Sequence, residues 1–231
     1  MQEKIILKTS DSKEIIGNYL EVSGAKGVGL LLHMMPSTKE SWDVFAKQLA
    51  QSGFSSLAID LRGHGESTGG PEGFVQFSDR EHQDSILDVE GAIDFLIKKG
   101  VSKEKIFLVG ASIGANLSLQ YQKENPFIKA TILLSPGLNY RGILGGELAK
   151  NLNNNQAIFV SGSEHDCGYQ SADGSSNDKC ASDMAKEIFD NSSSLNKQIK
   201  LFSNSAHGTT ILVRNEGFSK ELISWLETIY E

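Results

Sequence analysis

The most informative stretch of the sequence is Ile106-Phe107-Leu108-Val109-Gly110-Ala111-Ser112-Ile113-Gly114-Ala115-Asn116-Leu117-Ser118-Leu119. Its first half is a short, continuous apolar run, which predicts a strand buried on both faces. Its second half has the composition of a helix. Ser112 stands between them, with glycine two positions before and two positions after it. A tight turn from strand to helix strains its central residue, and glycines at these positions avoid side-chain clashes. The stretch therefore predicts a strand, a turn at Ser112 and a helix.

The same alternation runs through most of the chain. Apolar runs that predict strands occupy 28–33, 54–60, 105–110, 129–135, 157–161 and 198–203. Segments that predict helices lie between or after them, at 38–52, 79–99, 113–124, 179–191 and 215–230. Residues 3–8 and 14–22 flank a turn at 11–13 and predict a hairpin. We therefore expect an α/β fold in a single domain over 1–231, with a mostly parallel, doubly wound sheet of about eight strands opened by an antiparallel hairpin.

Two helix starts carry a local signal. Ser37 with Glu40, and Ser78 with Glu81, have the spacing of capping boxes. Both pairs are predicted to begin helices. In the helix predicted from 79, a stripe of apolar residues indicates core packing rather than a binding face, namely Ile86, Val89, Ile93 and Leu96.

Length and charge exclude several classes of protein. A chain of 231 residues fits one hydrophobic core, and its net charge of −7 without a basic block would repel nucleic acid. No stretch of about 18 apolar residues could span a membrane. Residues 1–8 lack the apolar core of a secretory signal, so the cytoplasm is the expected location, although a secreted mature form would look the same. The oligomeric state stays open.

Cys167 and Cys180 flank a loop rich in Gly, Ser, Asp and Asn. The cytoplasmic expectation favours two free thiols, and a disulfide that staples the loop is the alternative. A metal site needs more ligands at closer spacing, so no metal or cofactor is expected.

The pattern G-x-S-x-G occurs twice, around Ser67 and around Ser112, so the pattern alone decides little. Ser112 follows an apolar strand and opens a helix, whose N-terminus would face a developing oxyanion. Ser67 runs into Gly69-Gly70-Pro71-Glu72-Gly73, where a helix cannot start promptly. Ser112 is therefore the predicted nucleophile.

A serine nucleophile needs a histidine base and a carboxylate that orients it, in the order Ser, acid, His in this architecture. Of the histidines after Ser112, His207 follows the last predicted strand at its carboxyl end, whereas His165 is interpreted as a loop residue. Asp166 is the first choice for the acid, Glu164 the second and Asp173 the third. The oxyanion hole requires two backbone N–H donors, for which Ile113 and Met35 are the candidates.

Together these residues resemble the α/β-hydrolase superfamily over nearly the whole chain. His33-Met34-Met35-Pro36, with Trp42 nine residues after His33, is similar to the family's His-Gly-x-Pro loop and following Trp. The segment 60–67, Asp-Leu-Arg-Gly-His-Gly-Glu-Ser, resembles the family's D-x-R-G-H-G-x-S segment. The resemblance implies that His64 and Ser67 belong to a structural loop. Met34 departs from the family's Gly, which implies a narrower acyl pocket or a shifted donor at Met35.

The connection 137–156 is too short for more than one small helix, so we expect a minimal cap and an open site. An open site without a large apolar lid favours short-chain esters or thioesters over the substrates of a long-chain lipase. The small cap, together with Asp166 and His207-Gly208, resembles the carboxylesterase and dienelactone-hydrolase-like branch. The leading hypothesis is hydrolysis of small carboxylic esters through an acyl-enzyme. Thioesters, lactones or small amides are alternatives with the same triad. A non-catalytic ligand-binding protein of this fold is the alternative of another class.

Overall fold

A sheet of eight strands runs through the computed structural model, which describes residues 2–170, 176–177 and 179–230. In chain order the strands are β1 (Gln2–Lys8), β2 (Glu14–Leu20), β3 (Val28–Leu32), β4 (Ser55–Ile59), β5 (Ile106–Ala111), β6 (Ala130–Leu134), β7 (Ala157–Ser163), β8 (Tyr169–Gln170), β9 (Ser176–Asn177) and β10 (Lys197–Phe202). β8 and β9 pair with each other in a separate ribbon. The large sheet has the order β1-β2-β4-β3-β5-β6-β7-β10.

The sheet confirms the predicted architecture. The pairs β1–β2 and β2–β4 are antiparallel. The pairs from β4 through to β10 are parallel. The hairpin at the start of the chain therefore forms the antiparallel end of a mostly parallel, eight-stranded sheet.

Eight α-helices appear in the described residues. They are α1 (Asp43–Gln51), α2 (Asp79–Gln83), α3 (Ile86–Lys98), α4 (Ile113–Glu124), α5 (Gly145–Lys150), α6 (Ala181–Asn191), α7 (Thr210–Arg214) and α8 (Phe218–Tyr230). α4 begins and ends at the predicted residues. The single helix predicted over 79–99 is wrong, because the chain breaks between α2 and α3, and α7 was not predicted.

Both faces of the sheet are covered, as the continuous apolar strands indicate. On β3, Leu31 packs in the cluster that contains residues of α1 and α8. Its neighbours Leu30 and Leu32 point to the opposite face and pack with residues of α3 and α4. Val89 and Ile93 of the predicted stripe are buried in that second cluster.

One predicted capping box forms and the other does not. Ser78 and Glu81 cap α2, with the Ser78 N–H donating to Glu81 Oε2 at 2.8 Å. The box at Ser37 and Glu40 is wrong. Thr38 instead precedes a 3-10 turn at Lys39–Trp42, and α1 starts at Asp43. The reason is a buried ion pair: Lys39 Nζ lies 2.8 Å from the carboxylate of Asp60, and the Glu40 carboxylate turns to the same ammonium.

Cys167 and Cys180 form a disulfide, which corrects the preference for free thiols. The Ala181 N–H donates to the carbonyl of Asp166 at 2.8 Å, so the chain that enters α6 lies beside the chain that leaves β7. This long-range contact brings the two cysteine Cα atoms to 4.1 Å. Within the described part of the chain, no helix is long and apolar enough to cross a membrane.

Candidate active site

Ser112 occupies a strained turn between β5 and α4. Its backbone has φ 52° and ψ −117°, a conformation that residues other than glycine rarely adopt. The Ser112 N–H donates to the carbonyl of Leu134 at the end of β6, at 2.8 Å. The turn is therefore fixed by the neighbouring strand and holds its serine at the carboxyl end of the sheet.

The flanking glycines are required by close packing. A Cβ on Gly110 would overlap the carbonyl group of Gly114, and a Cβ on Gly114 would overlap the carbonyl group of Leu32. β3, β5 and the first turn of α4 approach each other too closely for side chains at these two positions. The spacing of the motif around Ser112 thus follows from the geometry of the turn.

The second G-x-S-x-G has a different environment. The Ser67 hydroxyl donates to the carbonyl of Asp60 at 2.7 Å and accepts the N–H of Ile16 at 2.9 Å. His64 is buried and stacks on Phe74 with ring centroids 4.4 Å apart. Burial lowers the pKa of His64. Ser67 therefore joins this loop to β2, and His64 packs within the loop.

The predicted acid and base lie in contact. Asp166 follows β7, His207 follows β10, and Asp166 Oδ2 lies 2.7 Å from His207 Nδ1. Both side chains are mostly buried, with exposed fractions of 11% for Asp166 and 26% for His207. A carboxylate at Nδ1 selects the tautomer with the proton on that nitrogen, and in that tautomer Nε2 is the nitrogen that can accept a proton.

The other residues considered for these roles lie elsewhere. Glu164 and His165 are exposed, and their backbone N–H groups donate to the carbonyls of Phe202 and Asn204 on and after β10. Asp173 lies outside the described residues. The carboxylate that the structure places on the histidine is the first choice from the sequence, Asp166.

The histidine loop is seated against the serine turn. Gly208 has φ 53°, and a Cβ built on it would lie 3.2 Å from the Cβ of Ala111 and 2.6 Å from the sulphur of Met34. Residues adjacent to Ser112, His207 and Met35 therefore meet at one point. Glycine is needed at 208 both for its backbone conformation and for this contact.

The loop at 33–37, named the oxyanion loop after its candidate donor Met35, is held by His33, which is fully buried. The Leu61 N–H donates to His33 Nε2 at 3.0 Å, so Nδ1 carries the proton and donates to the Met34 carbonyl at 2.9 Å. Burial, and then the nearby His64, lower the pKa of His33 to about 4, which keeps the ring neutral. The Ser37 N–H also donates to the Met34 carbonyl, at 2.8 Å.

These bonds orient the candidate oxyanion donor. In a trans peptide the N–H points opposite to the preceding carbonyl. With the Met34 carbonyl held toward His33 and Ser37, the Met35 N–H is directed to the other side of the loop. The second candidate, the Ile113 N–H, is the first of α4, and the first N–H groups of a helix have no acceptor within it.

Met34 and Met35 send their side chains to different neighbours. The sulphur of Met34 packs on Gly208 and lies 3.9 Å from the Thr209 hydroxyl. The sulphur of Met35 accepts from the hydroxyl of Tyr140 at 3.5 Å. No local sequence pattern links Tyr140 to the oxyanion loop, so the sequence does not predict this contact.

The connection after β6 holds one small helix, α5, as expected. Before α5 the chain packs on α2: the Arg141 guanidinium pairs with Asp79 at 3.0 Å, and the ring of Tyr140 meets that of His82 edge-on. Burial, and then Arg141, lower the pKa of His82 to about 4. The break between α2 and α3 lets α2 form this small wall beside Met35.

The sequence matches a known protein family. A model of hydrolases described as serine aminopeptidase S33 matches residues 23–162, well over half of the chain. The chain belongs to this family. It is thus an α/β hydrolase of the S33 type, and its matched region contains the oxyanion loop, both G-x-S-x-G segments and all of β7 but its last residue. No curated protein matches the sequence.

Solved structures of esterases and a related hydrolase share the fold of this S33 hydrolase. The Pyrococcus furiosus esterase Pf2001 has a TM-score of 0.77 at 17% identity, covering 100% of this chain and 93% of that one. An acetyl xylan esterase from Paenibacillus sp. R4 has a TM-score of 0.74 at 16% identity, covering 98% and 82%. Dienelactone hydrolase from Anabaena variabilis has a TM-score of 0.69 at 15% identity, covering 99% and 97%.

Proposed function

We propose that the chain is a serine esterase that cleaves small carboxylic esters through an acyl-enzyme. The contact between Asp166 and His207, whose loop packs against the strained turn of Ser112, carries this proposal. His207 removes the proton from the Ser112 hydroxyl, and the serine oxygen attacks the ester carbonyl. Asp166 stabilises the imidazolium that forms.

The backbone N–H groups of Ile113 and Met35 are proposed to bind the oxyanion of the tetrahedral intermediate. The Ile113 N–H lies at a helix N-terminus, where the partial positive charge of the helix adds to the hydrogen bond. His207 then donates its proton to the departing alcohol, and water releases the acid by the same steps. These reaction steps need only groups of the chain and water.

The proposed substrate class follows from the small size of the segments that cover the site. One short helix follows β6, and the wall formed by α2 and Tyr140 meets the oxyanion loop directly. Such a site suits a short acyl group. The matched family is described as an aminopeptidase, which favours small amides as the second candidate.

Hydrolysis of p-nitrophenyl acetate and butyrate tests the proposal. We expect turnover by the parent and its loss in Ser112→Ala, with the fold retained by circular dichroism. Turnover of these esters by Ser112→Ala would overturn the assignment of the nucleophile. Faster turnover of an alanine p-nitroanilide than of the esters would instead select the amide substrate.

A further inference from the structure

Two buried serines outside the proposed triad reach the loop that carries His207. Ser135 follows the last residue of β6, and Ser163 is the last residue of β7. Their exposed fractions are 2% and 0%. Buried hydroxyl groups in proteins are nearly always hydrogen-bonded, so the partners of these two hydroxyls indicate which part of the chain each serine holds in place.

Each serine bonds a residue next to His207. The Ser163 hydroxyl donates to the carbonyl of Ala206 at 2.7 Å. The Ser135 hydroxyl accepts the N–H of Gly208 at 3.1 Å. One bond holds the peptide group before His207 and the other holds the peptide group after it.

Thr210 completes both peptide groups. Its hydroxyl accepts the His207 N–H at 2.9 Å and donates to the His207 carbonyl at 2.8 Å. All four polar groups of the two peptides that flank His207 are thus bonded. Because φ and ψ are the rotations between two peptide planes, fixing both planes fixes the direction in which the His207 side chain leaves the backbone.

Ser135 also connects this loop to the nucleophile. The residue before it, Leu134, accepts the Ser112 N–H at 2.8 Å. Ser135 itself has φ 51°, and its N–H donates to the carbonyl of Ser161 at 2.8 Å. The turn at the end of β6 therefore contacts the backbone of Ser112 on one side and the loop of His207 on the other.

We propose that Ser135 and Ser163 are positioning residues that set the orientation of His207 relative to Ser112. The proposal rests on the function proposed above, in which His207 is the base. Both hydroxyls bond the backbone on either side of His207. Displacement of a catalytic group by about 1 Å lowers rates by about 100-fold, so loss of either hydroxyl is expected to act on the chemical step.

Ser161 supplies a matched control. It lies on β7 two residues before Ser163, on the same face of the strand, and is equally buried. In the described residues its hydroxyl has no hydrogen-bond partner. Ser161→Ala therefore removes a buried hydroxyl from the same strand without changing the loop of His207.

The test compares kcat and KM for p-nitrophenyl acetate in Ser135→Ala, Ser163→Ala and Ser161→Ala. Active sites are counted by the burst of p-nitrophenol, so a partly unfolded sample does not distort kcat. We expect kcat to fall by about 10- to 100-fold in the first two variants with KM changed less than about twofold, and no change in Ser161→Ala. Ser163→Thr keeps the hydroxyl and is expected to restore most of the rate.

The double variant Ser135→Ala with Ser163→Ala tests whether the two hydroxyls act on the same side chain. Because both hydroxyls orient one side chain, their effects should be less than multiplicative. If Ser135→Ala fails to fold, Ser135→Gly removes the hydroxyl at a position whose φ suits glycine. The proposal is overturned if the Ser135 and Ser163 variants match Ser161→Ala in kcat. A parent without esterase activity would instead overturn the proposed function.

Discussion

The two G-x-S-x-G segments share a pattern and differ in every physical respect. Ser67 is buried, and its hydroxyl both donates to and accepts from backbone groups. Ser112 is half-buried, has a positive φ and begins a helix of twelve residues. A shared pattern therefore does not give two serines the same environment, and the strand before Ser112 and the helix after it set it apart from Ser67. The glycines of the motif fit a loop around Ser67 and a strand-to-helix turn around Ser112.

The two regions are linked through His33. Its Nε2 accepts the N–H of Leu61 in the loop that contains Ser67, and its Nδ1 donates to Met34 in the oxyanion loop. The buried loop thereby supports the proposed site without taking part in it. Variants on the two sides should separate effects on rate from effects on stability.

The largest expected effect on the Ser112 side comes from Asp166→Asn. The amide cannot stabilise an imidazolium and favours the wrong tautomer of His207, so kcat should fall by about 10³- to 10⁴-fold. Glu164→Gln, in the same loop but exposed, should change kcat less than twofold. Steady-state hydrolysis of p-nitrophenyl acetate measures both. A larger loss in Glu164→Gln would contradict the choice of acid.

Removal of the disulfide should act on stability. The bond closes a loop with a sequence separation of 13, for which chain entropy predicts a contribution of about 3 kcal/mol. The free energy of unfolding in urea should fall by about this amount in Cys167→Ser with Cys180→Ser. Dithiothreitol should destabilise the parent equally and leave the double variant unchanged. A parent with two titratable thiols before reduction would be the opposite result.

Acid should destabilise the protein through His33, which connects the two regions. Its pKa is about 4 in the folded protein, below the value of about 6.5 in the unfolded chain. The unfolded chain therefore binds a proton first as the pH falls. The contribution of the neutral His33 ring to the free energy of unfolding is complete above pH 6.5. It is lost as the pH falls from about 6.5 to 4, by at most about 3 kcal/mol.

The slope of the unfolding free energy against pH, measured in urea, tests this prediction. His33→Gln keeps an amide that can accept from Leu61 but does not titrate. Its slope between pH 6.5 and 4 should be flatter than that of the parent, whatever its stability at pH 7. Equal slopes would show that His33 is not buried as a neutral ring.

The smallest effect is expected on the Ser67 side. Ser67→Ala leaves the buried Ile16 N–H without its acceptor, which should lower the free energy of unfolding by about 1 to 3 kcal/mol. The kcat per active site should stay within twofold of the parent, because Ser67 belongs to the supporting loop. Urea unfolding and a burst-calibrated assay measure the two quantities. A large loss of kcat at unchanged stability would place Ser67 in the chemistry.

Local pattern predicted most of the fold. The apolar runs and α4 were found because burial on both faces and helix composition are visible in neighbouring residues. The features that the sequence did not predict depend on residues distant in the chain. Lys39 pairs with Asp60, and Asp79 of α2 pairs with Arg141. The two cysteines meet because α6 starts beside the end of β7.

The site shows the same division. Ser112, Asp166 and His207 each follow a predicted strand, so their convergence at one edge of the sheet could be expected. Ser135 and Ser163 also stand at strand ends, and that position was a signal that could have drawn attention to them. Their bonds to the loop of His207 depend on the register of strands far apart in sequence, which no local pattern contains.

Labelling with a fluorophosphonate, followed by mass spectrometry of the peptides, tests directly whether Ser112 is the nucleophile, because both serine motifs are present in one experiment. We predict one phosphonate per chain on the peptide that contains Ser112, and none on the peptide that contains Ser67. Ser112→Ala should abolish labelling and Ser67→Ala should not. A label on the Ser67 peptide, or a folded parent that takes up no label, would contradict the assignment of Ser112 as the nucleophile.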